Sequence, residues 1–297
     1  MERFKKQRKK LMGNPVPVVN LETYENFLSN IENIVDIYND VGVVVLRGHN
    51  FSDEEHKNAA RSLGGHLKWN MFHGAEAHTE SAFYDGGHSD LQDEKTYFLK
   101  QDEYLLDWHI EQVYYVKPIL AGLWNMYHFS APQGSGNTQF MDSCKLYELL
   151  ADEDKELLSN SIIYWKKQSH TGSGPYYTRA VAPHPTANKP TIRVETDRGC
   201  EVPPLLYLLN NEEPSEAEKT KFNDVVEYIK LQLNSNKELL YVHEWEEGDL
   251  LVVDLFRMYH SVKGGFARGE RKFKGLAMRP EVYNHDLHES LETLWEN

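Results

Sequence analysis

The feature that most constrains the fold is the run of β-strand signals through the middle and end of the chain. The stretches YYVKPILAGLWNMYHF, KPTIRVET and EGDLLVVDLFRMYH are rich in β-branched and aromatic residues, and turn signals adjoin them. An earlier stretch, VGVVVLR at residues 41–47, is almost uniformly apolar, as is typical of a strand buried on both faces. Helical patterns lie near the start and between strands. This order predicts an α+β fold, mainly β, with a sandwich or jelly-roll core and helices packed outside it.

Two capping boxes predict where the main helices begin. The pair Ser52/Glu55 opens FSDEEHKNAARSLGG, which is expected to stop at the glycines 64–65. The pair Ser215/Glu218 opens a longer helix with one apolar face. That face consists of Phe222, Val225, Val226, Ile229 and Leu233. Two short helices are expected between residues 143 and 160.

We predict one domain over residues 1–297, because the sequence shows no repeat, low-complexity segment or Pro/Gly/Ser-rich linker. The formal net charge of −14, from 46 acidic and 32 basic side chains, repels a phosphate backbone and argues against nucleic acid as a partner. A basic cluster at residues 5–10 is interpreted as part of a flexible tail over residues 1–15. No run approaches the roughly 20 apolar residues of a membrane span, so no membrane partner is expected.

Cysteine usage favours a reducing compartment. Cys144 and Cys200 are the only two cysteines and lie far apart in sequence, so no disulfide framework is indicated. The default location is then the cytoplasm. The sequence leaves the oligomeric state open, a homo-oligomer included.

A histidine and a glutamate stand two apart in DWHIEQVYY. On a strand, side chains at i and i+2 point to the same face, so His109 and Glu111 could both reach one ion. The best candidate for a third ligand is His260, at the end of GDLLVVDLFRMYH, which is expected to form one apolar strand. Two histidines and one carboxylate leave three positions of an ion open, as in non-haem Fe(II) oxygenases. The alternative is a polar pair sharing a hydrogen bond, which arises easily among 14 histidines.

Four blocks occur in the order GVVVLRGHNFSDEEHKNAARSLG, WHIEQVYYVKPILAGLWNMYHFSAPQGSGNTQFMDS, HPTANKPTIRV and WEEGDLLVVDLFRMYHSVKGGFARGER. Together they resemble the taurine dioxygenase-type (TauD/TfdA) superfamily of Fe(II)- and 2-oxoglutarate-dependent enzymes, from about residue 41 to 280. The resemblance implies a double-stranded β-helix with His109, Glu111 and His260 as iron ligands. It also implies that 2-oxoglutarate and O2 are consumed to oxidise, most simply to hydroxylate, an unactivated C–H bond. The expected substrate is a small, amino-acid-like or carboxylate-bearing metabolite, and succinate and CO2 are released.

2-Oxoglutarate is a dianion, and its far carboxylate needs a fixed cation. Arginine suits a bidentate grip on a carboxylate. Arg271 lies eleven residues after His260, a spacing that taurine dioxygenase-like members use for this arginine, and Thr138 matches the family position whose hydroxyl helps hold the same carboxylate. Arg268 and Arg279 are rival candidates, and Arg271 could instead be a surface residue within ARGERKFK.

Three positions depart from the family pattern and leave the subfamily and the substrate open. Glu111 stands where aspartate is commoner, as in the clavaminate synthase-like branch, and fills the position that a halide would need, which disfavours halogenation. That branch places its arginine further from the last histidine, where this chain has Lys274. The usual Asp-Asn-Arg reads Asp254-Leu255-Phe256-Arg257 here.

Residues that contact the substrate are expected next to the ligand strand and in the irregular segment 66–107, which is interpreted as an active-site loop or lid. The candidates are Gln112, Tyr114, His73, His88 and Arg193. Arg193, in TIRV, could meet an anionic group. Each of them, taken alone, fits a structural role as well.

Two other functions compete with the oxygenase. Two histidines and a glutamate also suit catalytic zinc, which would make the protein a hydrolase, although no H-E-x-x-H motif occurs. The chain could also be a non-catalytic binding protein that has kept a jelly roll.

Overall fold

The computed structural model describes residues 16–67, 69–71, 83–85, 99–113, 119–165, 176–184, 189–195, 205–208, 213–267 and 269–280. The predicted tail over residues 1–15 and most of the predicted lid lie outside these ranges. The helices are α1 (Tyr24–Ser29), α2 (Ile31–Val41), α3 (Asp53–Leu67), α4 (Ser143–Leu149), α5 (Asp152–Ser159) and α6 (Glu216–Ser235).

Strands outnumber helices in the described middle and end of the chain, as predicted. They are β1 (Val18–Asn20), β2 (Val43–Arg47), β3 (Trp69–Met71), β4 (Phe83–Asp85), β5 (Tyr104–His109), β6 (Ala121–Phe129), β7 (Thr138–Asp142), β8 (Ser161–Trp165), β9 (Tyr176–Arg179), β10 (Val181–Pro183), β11 (Pro190–Ile192), β12 (Leu205–Leu208), β13 (Tyr241–His243), β14 (Leu250–Asp254), β15 (Met258–Lys263) and β16 (Arg271–Pro280).

Two sheets dominate the architecture. A seven-stranded sheet has the order β1-β2-β14-β6-β16-β3, with β4 also paired to β16, and a four-stranded sheet has the order β13-β7-β15-β5. There are also two smaller sheets among the described residues. One has two strands, β10-β11, and the other has three, in the order β12-β8-β9. The pairing of β1 with β2 is parallel, whereas the pairs within the four-stranded sheet are antiparallel.

Strand β2 shows how the layers pack. The apolar stretch 41–47 predicted a strand buried on both faces, and Val43 to Leu46 are fully buried. Val44 and Leu46 join a core cluster with residues of α1, α2 and α3, while Val43 and Val45 join one with Phe140 of β7. Because alternate side chains point to opposite faces, the helices cover one face of the seven-stranded sheet and the four-stranded sheet covers the other.

The stretch GDLLVVDLFRMYH is two strands rather than one, so the prediction of a single strand ending at His260 is wrong. Strand β14 ends at Asp254, and β15 continues in the other sheet from Met258. The Asp254 side chain breaks the strand, because its Oδ1 accepts the backbone N–H groups of Phe256 and Arg257, both at 3.2 Å. His260 therefore lies within a strand of the four-stranded sheet.

Both predicted capping boxes are present, and one predicted helix end is wrong. The Ser52/Glu55 and Ser215/Glu218 pairs exchange side-chain and backbone hydrogen bonds at the starts of α3 and α6. Helix α3 passes through the glycines 64–65, because Leu63 and Leu67 are buried in the core cluster and hold its last turn in place. The two short helices predicted between 143 and 160 are α4 and α5. Among the described helices, none is both long and apolar enough to cross a membrane.

A buried histidine on α3 couples folding to pH. The His56 side chain is 2% exposed, and its Nε2 lies 3.2 Å from the carbonyl oxygen of Leu123. Burial lowers the pKa of His56 from 6.5 to about 4, so the folded protein keeps the imidazole neutral in mildly acidic solution. The unfolded chain binds a proton there once the pH falls below the ordinary value, and this binding favours unfolding.

We expect the free energy of unfolding to fall by about 2 kcal/mol through His56 as the pH drops from about 7 to about 5. His56→Gln keeps a neutral hydrogen-bond donor and should remove this part of the pH dependence. Urea unfolding at several pH values measures it. The control is His66→Gln, which changes an exposed histidine on the same helix. If the free energy of unfolding changes equally with pH in the His56→Gln variant and the unmodified protein, the prediction is contradicted.

Candidate metal centre

Two histidines meet because their strands are neighbours in the four-stranded sheet. His109 is the last residue of β5, His260 lies in β15, and the two are directly paired in the antiparallel register. Their ring centroids are 4.1 Å apart. Residues that face each other across two strands place their side chains on the same side of a sheet. The register therefore brings together two imidazoles that are remote in sequence.

Glu111 completes the group from a turn. Its Oε2 lies 4.0 Å from Nε2 of His109 and 3.9 Å from Nε2 of His260. One ligand atom from each residue can be chosen so that all three lie within 4.8 Å of one another. All three atoms can therefore contact a single ion.

The turn replaces the strand geometry that the sequence suggested for this pair. Strand β5 ends at His109, and Gln112 has a φ of +51°, in the left-handed region. This turn carries Glu111 toward both histidines, while Ile110 is 1% exposed and packs in the core cluster with Trp108. The predicted meeting of the three residues is confirmed, but its cause is a turn and not strand alternation.

Backbone carbonyls orient both imidazoles. Nδ1 of His109 lies 2.7 Å from the carbonyl oxygen of Asp107, and Nδ1 of His260 lies 3.2 Å from that of Met258. A carbonyl oxygen only accepts, so each Nδ1 carries the proton and each Nε2 presents its lone pair. Both side chains are buried, which keeps these orientations fixed. Imidazoles whose Nε2 atoms face one another and a carboxylate in this way are suited to bind a transition metal.

The three residues open into a cavity between the two large sheets. Its volume is about 280 Å³, close to the lower end of ligand pockets, about 300–1,000 Å³. Most of its wall is apolar. The apolar side chains include Leu106, Ile119, Leu255, Val262, Leu276 and Ala277.

A buried cation stands in the same cavity. Arg271 is the first residue of β16, and it is 3% exposed. Its guanidinium lies 5.0 Å from the ring centroid of Phe273, 5.7 Å from that of Trp245 and 5.9 Å from that of Phe266. Burial lowers the pKa of Arg271 to about 10, which leaves it charged at neutral pH.

The described protein groups near Arg271 leave its charge uncompensated. Its Nε donates to the carbonyl oxygen of Gly136 at 3.2 Å, and its Nη2 to Oγ1 of Thr138 at 3.4 Å. Gly136 has a φ of +63°, and a Cβ there would lie 3.2 Å from Cδ of Arg271. No carboxylate among the described residues forms an ion pair with this guanidinium. A buried charge is costly without a counter-ion, so the arrangement calls for an anion in the cavity.

The other predicted residues fall into three groups. Gln112 lines the cavity, and its Oε1 accepts the backbone N–H of Ile119 at 3.3 Å. Arg193 is buried away from the cavity wall, where it donates to the carbonyl oxygen of Phe256 and lies 4.2 Å from that ring. Outside the described part of the chain lie Tyr114, His73, His88, Arg268 and the side chain of Arg279.

Lys274, which stands at the arginine position of the clavaminate synthase-like branch, does not line the cavity. Its Nζ pairs with Asp53 and lies 4.9 Å from the ring centroid of Tyr127. Asp254 and Arg257 keep contact despite the altered residues between them, with Arg257 Nε 3.1 Å from Asp254 Oδ2.

Sequence reasoning missed the aromatic side of the cavity, namely Trp124, Trp245 and Phe273. Trp124 lies 5.3 Å from His260 between ring centroids. A Cβ at position 122 would lie 2.9 Å from Nε1 of Trp124, so Gly122 leaves room for the indole. The alternation of Arg271, Phe273 and Gly275 along β16 was a usable signal, but only once the start of that strand was known.

One family model and one curated protein match the chain in sequence. The model of the family described as "Taurine catabolism dioxygenase TauD, TfdA family" matches residues 7–277. A curated protein of Fischerella ambigua (strain UTEX 1903), 3-((Z)-2-isocyanoethenyl)-1H-indole synthase, is 26% identical over 129 residues, which are 42% of this chain and 45% of that protein. The matching segment thus spans less than half the length of that relative.

Two solved structures share the fold over nearly the whole chain. The crystal structure of AAD-2 in complex with Mn(II) and N-oxalylglycine has a TM-score of 0.62 and 16% identity, and the match covers 94% of this chain and 98% of that one. PvcB, described as an Fe, alpha-ketoglutarate dependent oxygenase from an isonitrile synthetic pathway, has a TM-score of 0.61 and 14% identity, with coverage of 92% and 89%. At these identities the likeness establishes the fold.

Removal of one imidazole should weaken metal binding. We expect His260→Ala to raise the Kd for Mn(II) at least about tenfold, because one of three ligand atoms is lost, equivalent to about 1.4 kcal/mol. Calorimetric titration of the metal-free protein measures this. The control is His128→Ala, which removes a histidine on β6 that pairs with Glu247 outside the group. If the two variants bind Mn(II) equally well, the three residues do not form the site.

Proposed function

Because the chain belongs to the TauD, TfdA family, we propose that it is an Fe(II)- and 2-oxoglutarate-dependent dioxygenase. It oxidises, most simply by hydroxylation, an unactivated C–H bond of a small, amino-acid-like or carboxylate-bearing metabolite, and succinate and CO2 are released. The observation that carries this proposal is one cavity with a His-Glu-His group and a buried arginine that has no anionic partner among the described residues.

The residues of the cavity fit the proposed metal and cosubstrate. His109, Glu111 and His260 would hold the ion, since two imidazole nitrogens and one carboxylate oxygen suit ferrous iron. 2-Oxoglutarate has a keto-acid end that can chelate a metal, and its far carboxylate matches the charge of Arg271. Ferrous iron, when bound, supplies O2 activation coupled to decarboxylation of 2-oxoglutarate.

The protein's own contribution is positioning and exclusion of water. Arg271 and Thr138 bind the far carboxylate, and Arg271 is already desolvated, which strengthens the contact. The carbonyls of Asp107 and Met258 keep the two imidazoles in place. The apolar wall keeps water from the reacting atoms, which protects reactive species from side reactions. The small volume favours a small substrate.

The solved relatives support this assignment. AAD-2 was crystallised with Mn(II) and N-oxalylglycine, and N-oxalylglycine resembles 2-oxoglutarate with an N–H in place of one methylene. PvcB is described as an Fe, alpha-ketoglutarate dependent oxygenase. The two facing sheets, together with these neighbours, also support a double-stranded β-helix in a single domain.

Two relatives suggest a narrower substrate class. One is named a synthase of an isocyanoethenyl indole, and the other comes from an isonitrile synthetic pathway. The named product carries a carbon–carbon double bond beside the isocyano group. A second candidate function is therefore desaturation of an amino-acid-derived isocyano compound, which also begins with removal of hydrogen from a C–H bond.

Arg271 should decide the binding of the cosubstrate. We expect Arg271→Gln to raise the Kd of 2-oxoglutarate at least about tenfold, because a charged, desolvated contact is lost. The visible absorption band of the anaerobic Fe(II) complex with 2-oxoglutarate provides the measurement.

The matched control is Lys274→Gln, which removes the rival cation outside the cavity and should leave the Kd unchanged. If Lys274→Gln raises the Kd and Arg271→Gln does not, the cation that binds 2-oxoglutarate is misassigned. Absence of the band in the unmodified protein, with zinc at full occupancy, would favour the hydrolase.

Succinate release identifies the substrate class. We expect a substrate to raise succinate production above the uncoupled rate at least about tenfold, because decarboxylation of 2-oxoglutarate would be coupled to oxidation of the bound substrate. The screen should contain amino acids, sulfonates, aryl-oxy acids and isocyano derivatives of amino acids. Product mass separates hydroxylation from desaturation. No succinate with or without any compound would leave a binding protein as the better description.

A further inference from the structure

We propose that Trp245 is a positioning residue for the cosubstrate, because it obliges the Thr138 hydroxyl to donate its proton into the cavity. The inference rests on the proposed function, since the acceptor is the far carboxylate of 2-oxoglutarate. Trp245 is 4% exposed, and its Nε1 donates to Oγ1 of Thr138 at 2.9 Å.

The acceptor capacity of Thr138 is used up by protein donors. A hydroxyl oxygen has two lone pairs and one proton. One lone pair accepts from Trp245 Nε1 at 2.9 Å, and the other is approached by Arg271 Nη2 at 3.4 Å. Neither donor can reverse its role, because indole and guanidinium nitrogens carry no acceptor lone pair. The hydroxyl can therefore serve a ligand only as a donor.

Within the described residues, the Thr138 proton has no acceptor. Thr138 is 1% exposed and lines the same cavity as Arg271. An unused buried donor beside a buried cation suits a carboxylate, which only accepts when ionised. It does not suit a ligand group that must donate, such as an ammonium. Trp245 thus contributes to selectivity for an anion without charge of its own.

The indole is held by a buried polar chain behind it. Its ring stands edge-on to that of His243, with centroids 4.4 Å apart and an interplanar angle of 88°. His243 Nδ1 shares a hydrogen bond of 2.8 Å with the Tyr241 hydroxyl, and its Nε2 lies 3.1 Å from Asp249 Oδ2. Asp249 is fixed in turn by two contacts with Arg47, at 2.6 and 2.7 Å. Burial lowers the pKa of His243, which keeps this ring neutral.

The pairing of β13 with β7 brings Trp245 close to Thr138. His243 in β13 is paired with Thr138 in β7, and Trp245 follows two residues later. The Nε1 atom then lies within hydrogen-bonding distance of Thr138, and both residues line the cavity. A phenylalanine ring at position 245 would fill the space but has no N–H group. One lone pair of the Thr138 hydroxyl would then lack a donor.

The test is a double-mutant cycle on cosubstrate binding. Trp245→Phe keeps an aromatic ring and removes the donor, while Thr138→Val keeps the shape and removes the hydroxyl. We expect each single variant to raise the Kd of 2-oxoglutarate about fivefold, the effect of one typical net hydrogen bond. The double variant should be no worse than Thr138→Val within about twofold. The anaerobic Fe(II) absorption band reports the Kd independently of turnover.

Two controls separate this role from a structural one. Trp165→Phe removes a comparable buried bond, from Trp165 Nε1 to Thr178 Oγ1 at 2.6 Å, outside the cavity, and should leave the Kd unchanged. 2-Oxopentanoate has the same carbon chain without the far carboxylate, so Trp245→Phe should not change its binding. Mn(II) affinity should also stay unchanged in every variant.

The outcomes are distinct. Failure of the unmodified protein to bind 2-oxoglutarate overturns the proposed function and this inference together. Normal binding by Trp245→Phe, or additive losses of about 25-fold in the double variant, overturns the inference alone. An equal loss for 2-oxopentanoate shows a general disturbance of the cavity and also overturns it.

Discussion

The antiparallel register between β5 and β15 is the constraint on which the site depends. It pairs His109 directly with His260, so the ligands of the proposed metal come from two strands joined by backbone hydrogen bonds. A slip of one residue would turn one imidazole to the other face of the sheet. On the opposite side of β15, strand β7 places Thr138 in the same sheet. Metal and cosubstrate positions are therefore tied to one hydrogen-bond network.

A second constraint decides how the chain reaches that sheet. Asp254 ends β14 in the seven-stranded sheet, and its carboxylate caps the turn that leads into β15. The same carboxylate lies 2.8 Å from Nε2 of His184 and 3.1 Å from Nε of Arg257. Arg257 is fully buried and donates to the carbonyl oxygens of Tyr38 and Asn39 on α2. Buried charges of this kind hold because each has partners, and they join the helical layer to the turn.

Much of the site could be predicted from sequence, and the failures have physical causes. His109, Glu111 and His260 were identified by residue type and by resemblance, and the capping boxes by local hydrogen-bond chemistry, which needs no tertiary information. The stop at the glycines 64–65 failed because core burial overrides local propensity. The single strand before His260 failed because an aspartate turn inside an apolar run leaves no composition signal. The roles of Thr138 and Arg271 stay predictions, although their placement in the cavity supports them.

The buried guanidinium of Arg271 has a consequence for how a dianion reaches it. The chain carries a formal charge of −14, so its long-range field opposes the approach of an anion. The attraction of Arg271 acts inside the cavity, where burial leaves the cation poorly screened by salt. Added salt therefore weakens the distant repulsion while it hardly touches the contact at the end of the path. Recognition by such a cavity is a short-range event, governed by fit and loss of hydration. The net negative charge of the chain slows the approach of anions and does not attract them.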